Sequence, residues 1–157
     1  MPSYKVHLIG GAATYLVVSQ LSIIFPFLQN FSFPEHLIFL GVTLIGSIFP
    51  DIDIASKMQN TFFKVMPAAL PLALFYSTTL FVGLGLTCIA VLLVRHRTIT
   101  HQIWFLTLMP AAYAFTTIAY YPTHRLLIFS ICTYFSAGAL SHRLLDFGPR
   151  RFFSNKR

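Results

Sequence analysis

Apolar residues in this chain fall in long runs, and polar residues collect in short islands between them. The first run, Leu8 to Leu28, is about long enough to cross a bilayer, which takes roughly 20 helical residues. Lys5 and His7 mark its start, and Gly10-Gly11 permit a close helix approach. Gln29-Asn30 and Pro34-Glu35 predict a turn. His36 to Phe49 is a second run, short for a crossing, and it stops at Pro50. Ile54 to Thr61 is the most polar internal stretch and reads as a surface loop or interfacial segment. Phe62 to Val94 is apolar apart from Lys64 and the weak patch Ser77-Thr78-Thr79. A charged island, Arg95 to His101, precedes the span Ile103 to Tyr121. Trp104 and Tyr120-Tyr121 stand at the two ends of that span, as interfacial aromatic belts do. Pro122-Thr123-His124-Arg125 turns the chain, Leu126 to Leu140 returns it, and the basic, polar tail from Gly148 is expected to fray at its end.

The run from Phe62 to Val94 decides the topology. One crossing would put the islands on either side of it on opposite faces. A hairpin near Ser77-Thr78-Thr79 would return them to one face. Charge favours the hairpin, because Lys5, Lys57, Arg95, Arg97, Arg143, Arg150, Arg151, Lys156 and Arg157 then share a side, leaving Arg125 opposite. By the positive-inside rule that side is cytoplasmic. The expected fold is all-α: a single domain, residues 1–157, forming a polytopic membrane bundle of four to six transmembrane or re-entrant helices.

Composition agrees. Of 157 residues, 56% are hydrophobic and 10% charged, against about 25% charged in a soluble domain. The net charge of +7 does not indicate a nucleic-acid binder, since the basic residues sit at the ends of apolar runs rather than along one solvated face. Cys88 and Cys132 lie within apolar runs without CxxC spacing and read as inert thiols. No small-x-small cleavage site follows Leu28, so a retained anchor is expected.

Acids are scarce. Glu35, Asp51, Asp53 and Asp146 are all the chain has. A carboxylate beside apolar segments costs several kcal/mol unless it is paired or binds a cation. Four segments carry candidate chemistry: His7; Pro50-Asp51-Ile52-Asp53; His96-Arg97-Thr98-Ile99-Thr100-His101; and Ser141-His142-Arg143-Leu144-Leu145-Asp146. His142 and Asp146 are four apart, one above the other on a helix face. His96 and His101 are five apart and share no face, so a bend near Thr98 is expected if both bind. Imidazole and carboxylate without thiolate suit zinc first, with manganese or iron(II) as alternatives. His36 and His124 fall on the far side and read as structural. Ser141 lacks a nucleophile-elbow context and diverges from His142 by about 100° on a helix.

These blocks, in this order, resemble the LexA-regulated, inner-membrane metal-dependent hydrolase family (YdjM-like), itself similar to zinc-dependent phospholipase C and P1 nuclease. The resemblance implies a bacterial inner-membrane helical bundle that hydrolyses a phosphoester. It implies metal ligands at His7, Asp51, Asp53, His96, His101, His142 and Asp146, with Asp53 or Asp146 alternatively orienting a histidine or accepting a proton. Thr98 and Gln102 replace the Gly and Ser usual in the family, and the chain closes soon after Phe147-Gly148-Pro149. The expected function is metal-dependent hydrolysis at the cytoplasmic face, with roughly one to three ions. The expected substrate is a phosphoester from a phospholipid or another source, with Arg97 and Arg143 as phosphate partners. The lipid bilayer is the expected partner, and nucleic acid is not. The alternative is a non-enzymatic membrane protein, either a structural metal module or a small transporter. A transporter would need its ionisable groups near the bilayer midplane, whereas these sit at run ends.

Overall fold

The computed structural model describes residues 3–21, 31–53, 57–76, 85 and 101–152. Every element among them is helical, as the hydrophobic pattern predicts. The order is α1 (Tyr4–Leu21), α2 (Phe33–Ile48) running into a 3-10 turn (Phe49–Asp53), and α3 (Lys57–Tyr76). Then come α4 (Ile103–Tyr120), a 3-10 turn (Pro122–His124) and α5 (Arg125–Arg151). Packing divides the chain into two compact units, residues 1–50 with 101–157, and residues 51–100.

In the second unit α3 begins at Lys57, so the latter part of the expected loop Ile54 to Thr61 is helix instead. Ser77-Thr78-Thr79, where a hairpin was expected, lies outside the described residues, as do Cys88, His96 and Arg97.

In the first unit α1, α2 and α5 pack pairwise, and α4 packs on α5. Phe39 stacks on Tyr134 at 4.7 Å, Thr43 faces Gly138, and Ser47 bonds His142. Both helices advance four residues at each step, so α2 and α5 run parallel. Helix α1 runs against them: Tyr15 meets Tyr134, Gly11 meets Ser47, and His7 meets His142. The start of α1 therefore converges with the ends of α2 and α5.

Small residues allow this approach. A Cβ on Gly46 would strike the Phe135 carbonyl, and one on Gly138 would strike the Thr43 carbonyl and lie 3.0 Å from the Ser47 nitrogen. Between helices in lipid, such close backbone contact supplies the packing that a hydrophobic driving force supplies in water.

The chain enters α2 earlier than expected. Pro34 and Glu35 are its first-turn residues rather than a turn before it. Glu35 Oε2 accepts from the Ser32 backbone N–H and hydroxyl, each at 2.6 Å. This is the reach-back half of a capping box, and proline is tolerated there because early helical N–H groups have no partner. The extension makes Phe33–Asp51, at 19 residues, long and apolar enough to cross a membrane, as Ile103–Tyr120 also is. Phe33, Phe115 and Tyr120 are at least three-quarters exposed on these two stretches, which suits contact with lipid.

The expected tail from Gly148 is helical at its start, and its end, beyond residue 152, lies outside the described residues. Gly148 adopts φ 67°, in the left-handed region that glycine enters without penalty. The chain bends there, continues helically to Arg151, and brings the Phe152 carbonyl within 2.9 Å of Arg143 Nε.

Tyr134 is wholly buried, its hydroxyl has no hydrogen-bond partner among the described residues, and its ring packs on Phe39 and Tyr15, so the contribution expected of it is packing. Tyr134→Phe is expected to shift stability by less than about 1.5 kcal/mol, and Tyr134→Ala to cost about 3–5 kcal/mol. Thermal unfolding in detergent checks both.

Candidate metal centre

The last turns of α5 set His142 and Asp146 on one face, with His142 Nε2 3.3 Å from Asp146 Oδ2. His142 Nδ1 lies 2.8 Å from the Ser47 carbonyl oxygen. A carbonyl only accepts, so Nδ1 carries the proton. Ser47 can serve because it is in the last turn of α2, where carbonyls lose their in-helix partners. In the neutral ring Nε2 is then left with a lone pair, facing a carboxylate oxygen. Two acceptors in that arrangement repel unless a proton or a metal cation lies between them.

His7, on the first turns of α1, approaches the other oxygen of the same carboxylate, with Nε2 3.5 Å from Asp146 Oδ1. Its ring stacks on His142 at 3.9 Å with an 18° interplanar angle. A neutral His7 can donate from Nε2 to this oxygen, so the conflict between two acceptors is confined to His142 and Asp146. His101 stands in the turn before α4, its ring 5.5 Å from that of His142. Ligand atoms of His101, His142 and Asp146 all lie within 4.8 Å of one another. Solvent barely reaches any of the four side chains: His142 is 0%, His7 1% and His101 6% exposed, and the Asp146 side chain is 4% exposed. Three imidazoles and a carboxylate, with one imidazole held by a backbone carbonyl, fit a divalent metal and its usual outer support.

Four of the seven ligand candidates are thus brought together. Asp51 is half-buried in the 3-10 turn and belongs to the second unit, and the Asp53 side chain and His96 lie outside the described residues. Of the candidate phosphate partners, Arg97 lies outside them too. Arg143 is 3% exposed. Its Nη1 donates to the His101 carbonyl, its Nε donates to Phe152, and its guanidinium lies 5.0 Å from the Phe147 ring centroid.

His36 Nδ1 is 3.2 Å from the Tyr15 hydroxyl, and His124 is exposed in its turn. The Ser141 hydroxyl donates back to the Gly138 carbonyl at 2.7 Å. Cys132 is a buried free thiol. The Ser47 carbonyl was not foreseen. Every residue carries a carbonyl, and only the position of Ser47 at the end of α2 could have pointed to it.

A helical membrane protein with a buried histidine and aspartate cluster is the class that fold and site define. The chain belongs to the YdjM inner membrane protein family, which matches residues 1–150. The match spans every motif from His7 to Asp146, places the protein at the inner membrane, and names neither an enzyme nor a regulator. No curated protein and no solved structure matches the chain.

Proposed function

We propose that this protein is a metal-dependent hydrolase of the inner membrane, acting on a phosphoester. The observation that carries the reading is the orientation of His142. Its protonated Nδ1 is committed to Ser47, and its Nε2 is aimed at Asp146. His7, His101, His142 and Asp146 would hold the ion. Zinc fits this donor set first, with manganese or iron(II) as alternatives. A bound ion of this kind lowers the pKa of a water molecule and polarises a phosphoester. The chain's own part is to fix the ligands: Ser47 sets the tautomer of His142, Asp146 spans two imidazoles, and burial keeps bulk water away. Asp51, Asp53 and His96 stand as ligand candidates, and Arg97 as a phosphate partner, on their sequence pattern alone. The shared charge of the islands supports a multi-pass chain with the site on the cytoplasmic side.

One observation favours a second reading. The near-complete burial of all four side chains also suits a structural ion in a closed shell.

Elemental analysis of full-length protein, purified without chelator, tests the metal. At least one zinc, manganese or iron per chain is expected in the wild type, and less in Asp146→Asn and Asp51→Asn. Wild-type metal no higher than in Asp146→Asn sinks the reading. Turnover on a nitrophenyl phosphodiester and on phospholipid vesicles separates the two functions: metal without turnover on either supports the structural ion.

A further inference from the structure

His101 differs from the other clustered ligands in how it is supported. His7 and His142 are carried within helices, which fix their backbones. His101 stands in a turn, followed by the extended Gln102 at φ −85°, ψ 134° that opens α4. Among the described residues, His101 lies outside the helices. Its carbonyl meets Arg143. Because His142 and Arg143 are neighbours on α5, their side chains leave the helix about 100° apart. One reaches the His101 ring and the other its carbonyl.

We infer that Arg143 is the positioning residue of the centre, a clamp that holds His101 against His142 by bonding the carbonyls of His101 and Phe152 with one guanidinium. This rests on the reading of the cluster as a metal centre. Three observations support the clamp. The guanidinium is buried, where a charge must keep its partners. Its charge-assisted bonds go to two carbonyls that lie on opposite sides of it in sequence. Phe147 lies under the guanidinium at 5.0 Å and edge-on to the His101 ring at 6.4 Å, so one aromatic ring steadies both. The bend at Gly148 returns Phe152 to Arg143 and completes the grip. Lysine cannot replace this arrangement, since a single ammonium lacks the planar fork that reaches two acceptors.

The test uses full-length protein in detergent, stripped of metal and titrated with cobalt(II), whose visible bands report coordination. Arg143→Lys is expected to weaken cobalt binding about 10–100-fold, the range for lost outer support, and to shift the spectrum towards that of His101→Ala. Adding Arg143→Lys to His101→Ala should cause no further loss. Wild-type affinity and spectrum in Arg143→Lys would overturn the clamp. If Arg143 variants do not fold, Gly148→Ala takes their place. Its Cβ would meet nothing within 4 Å, but alanine is strained at φ 67°, so Phe152 should shift and cobalt binding weaken. Unchanged binding there also overturns the clamp.

Carbethoxylation of the metal-free protein separates this inference from the metal reading. His101 should react several-fold faster in Arg143→Lys, with exposed His124 as the unchanged reference. Faster His101 labelling supports the clamp even if the wild type binds no cobalt, a result that would remove the metal reading alone. Unchanged labelling overturns the clamp whatever the metal result.

Discussion

His142→Asn is expected to lose bound metal while keeping the fold. Asparagine places an amide nitrogen close to where Nδ1 lies, so it can still donate to the Ser47 carbonyl, but it has nothing at the position of Nε2. Metal affinity should fall by more than about 100-fold, beyond the range for losing outer support, with thermal stability of the metal-free protein nearly unchanged. His142→Ala removes both bonds and should lose the metal and some stability together, because the buried Ser47 bond goes with it. Equilibrium dialysis against zinc, beside unfolding of the stripped protein, reads both quantities. If His142→Asn bound zinc like the wild type, Nε2 would not be a ligand, and Asp146 would be facing an imidazolium instead.

Gly138→Val should have the largest effect on the fold. Its Cβ would drive into the Thr43 carbonyl and against the Ser47 nitrogen. These are backbone atoms that cannot rotate away, so α2 and α5 would have to part. A cost of more than about 3 kcal/mol is expected, and the yield of folded protein should collapse. Gly46→Val meets the reciprocal obstacle at Phe135 and Ala139 and should behave alike. Gly41→Ala is the control. Nothing lies within 4 Å of its added Cβ, so it should be neutral or stabilising by up to about 1 kcal/mol, since alanine is the better helix former. Thermal unfolding of the three variants ranks them. A wild-type melting temperature in Gly138→Val would show that the close crossing does not hold the unit together.

Local periodicity made much of this legible. The span from Ile103, the turn at Pro122, and the i, i+4 placement of His142 and Asp146 need only neighbouring residues, and all are found where the pattern puts them. Gly11 likewise sits at a close helix contact. The start of α2 was misplaced because Pro34 suggested a turn, although Ser32-Phe33-Pro34-Glu35 also carries the serine and glutamate spacing of a cap. Long-range pairings were not legible. Gly46 and Gly138 lie on helices far apart in sequence, so no motif announces their crossing. Arg143 reads as a topological or phosphate-binding charge until the His101 and Phe152 carbonyls are seen on it. Nothing in the charge pattern could locate two backbone acceptors.

The first unit is assembled from two segments far apart in sequence, and this dictates an order of events during synthesis. The carbonyl of Ser47 and the ring of His142 are separated by 95 positions. At about 5–20 residues per second, Ser47 leaves the ribosome roughly 5–20 s before its partner. Through that interval α1 and α2 are in place without the helix that carries the carboxylate. On the proposed metal reading, loading of an ion follows the synthesis of Asp146, and a chain stalled before that residue has no centre to load.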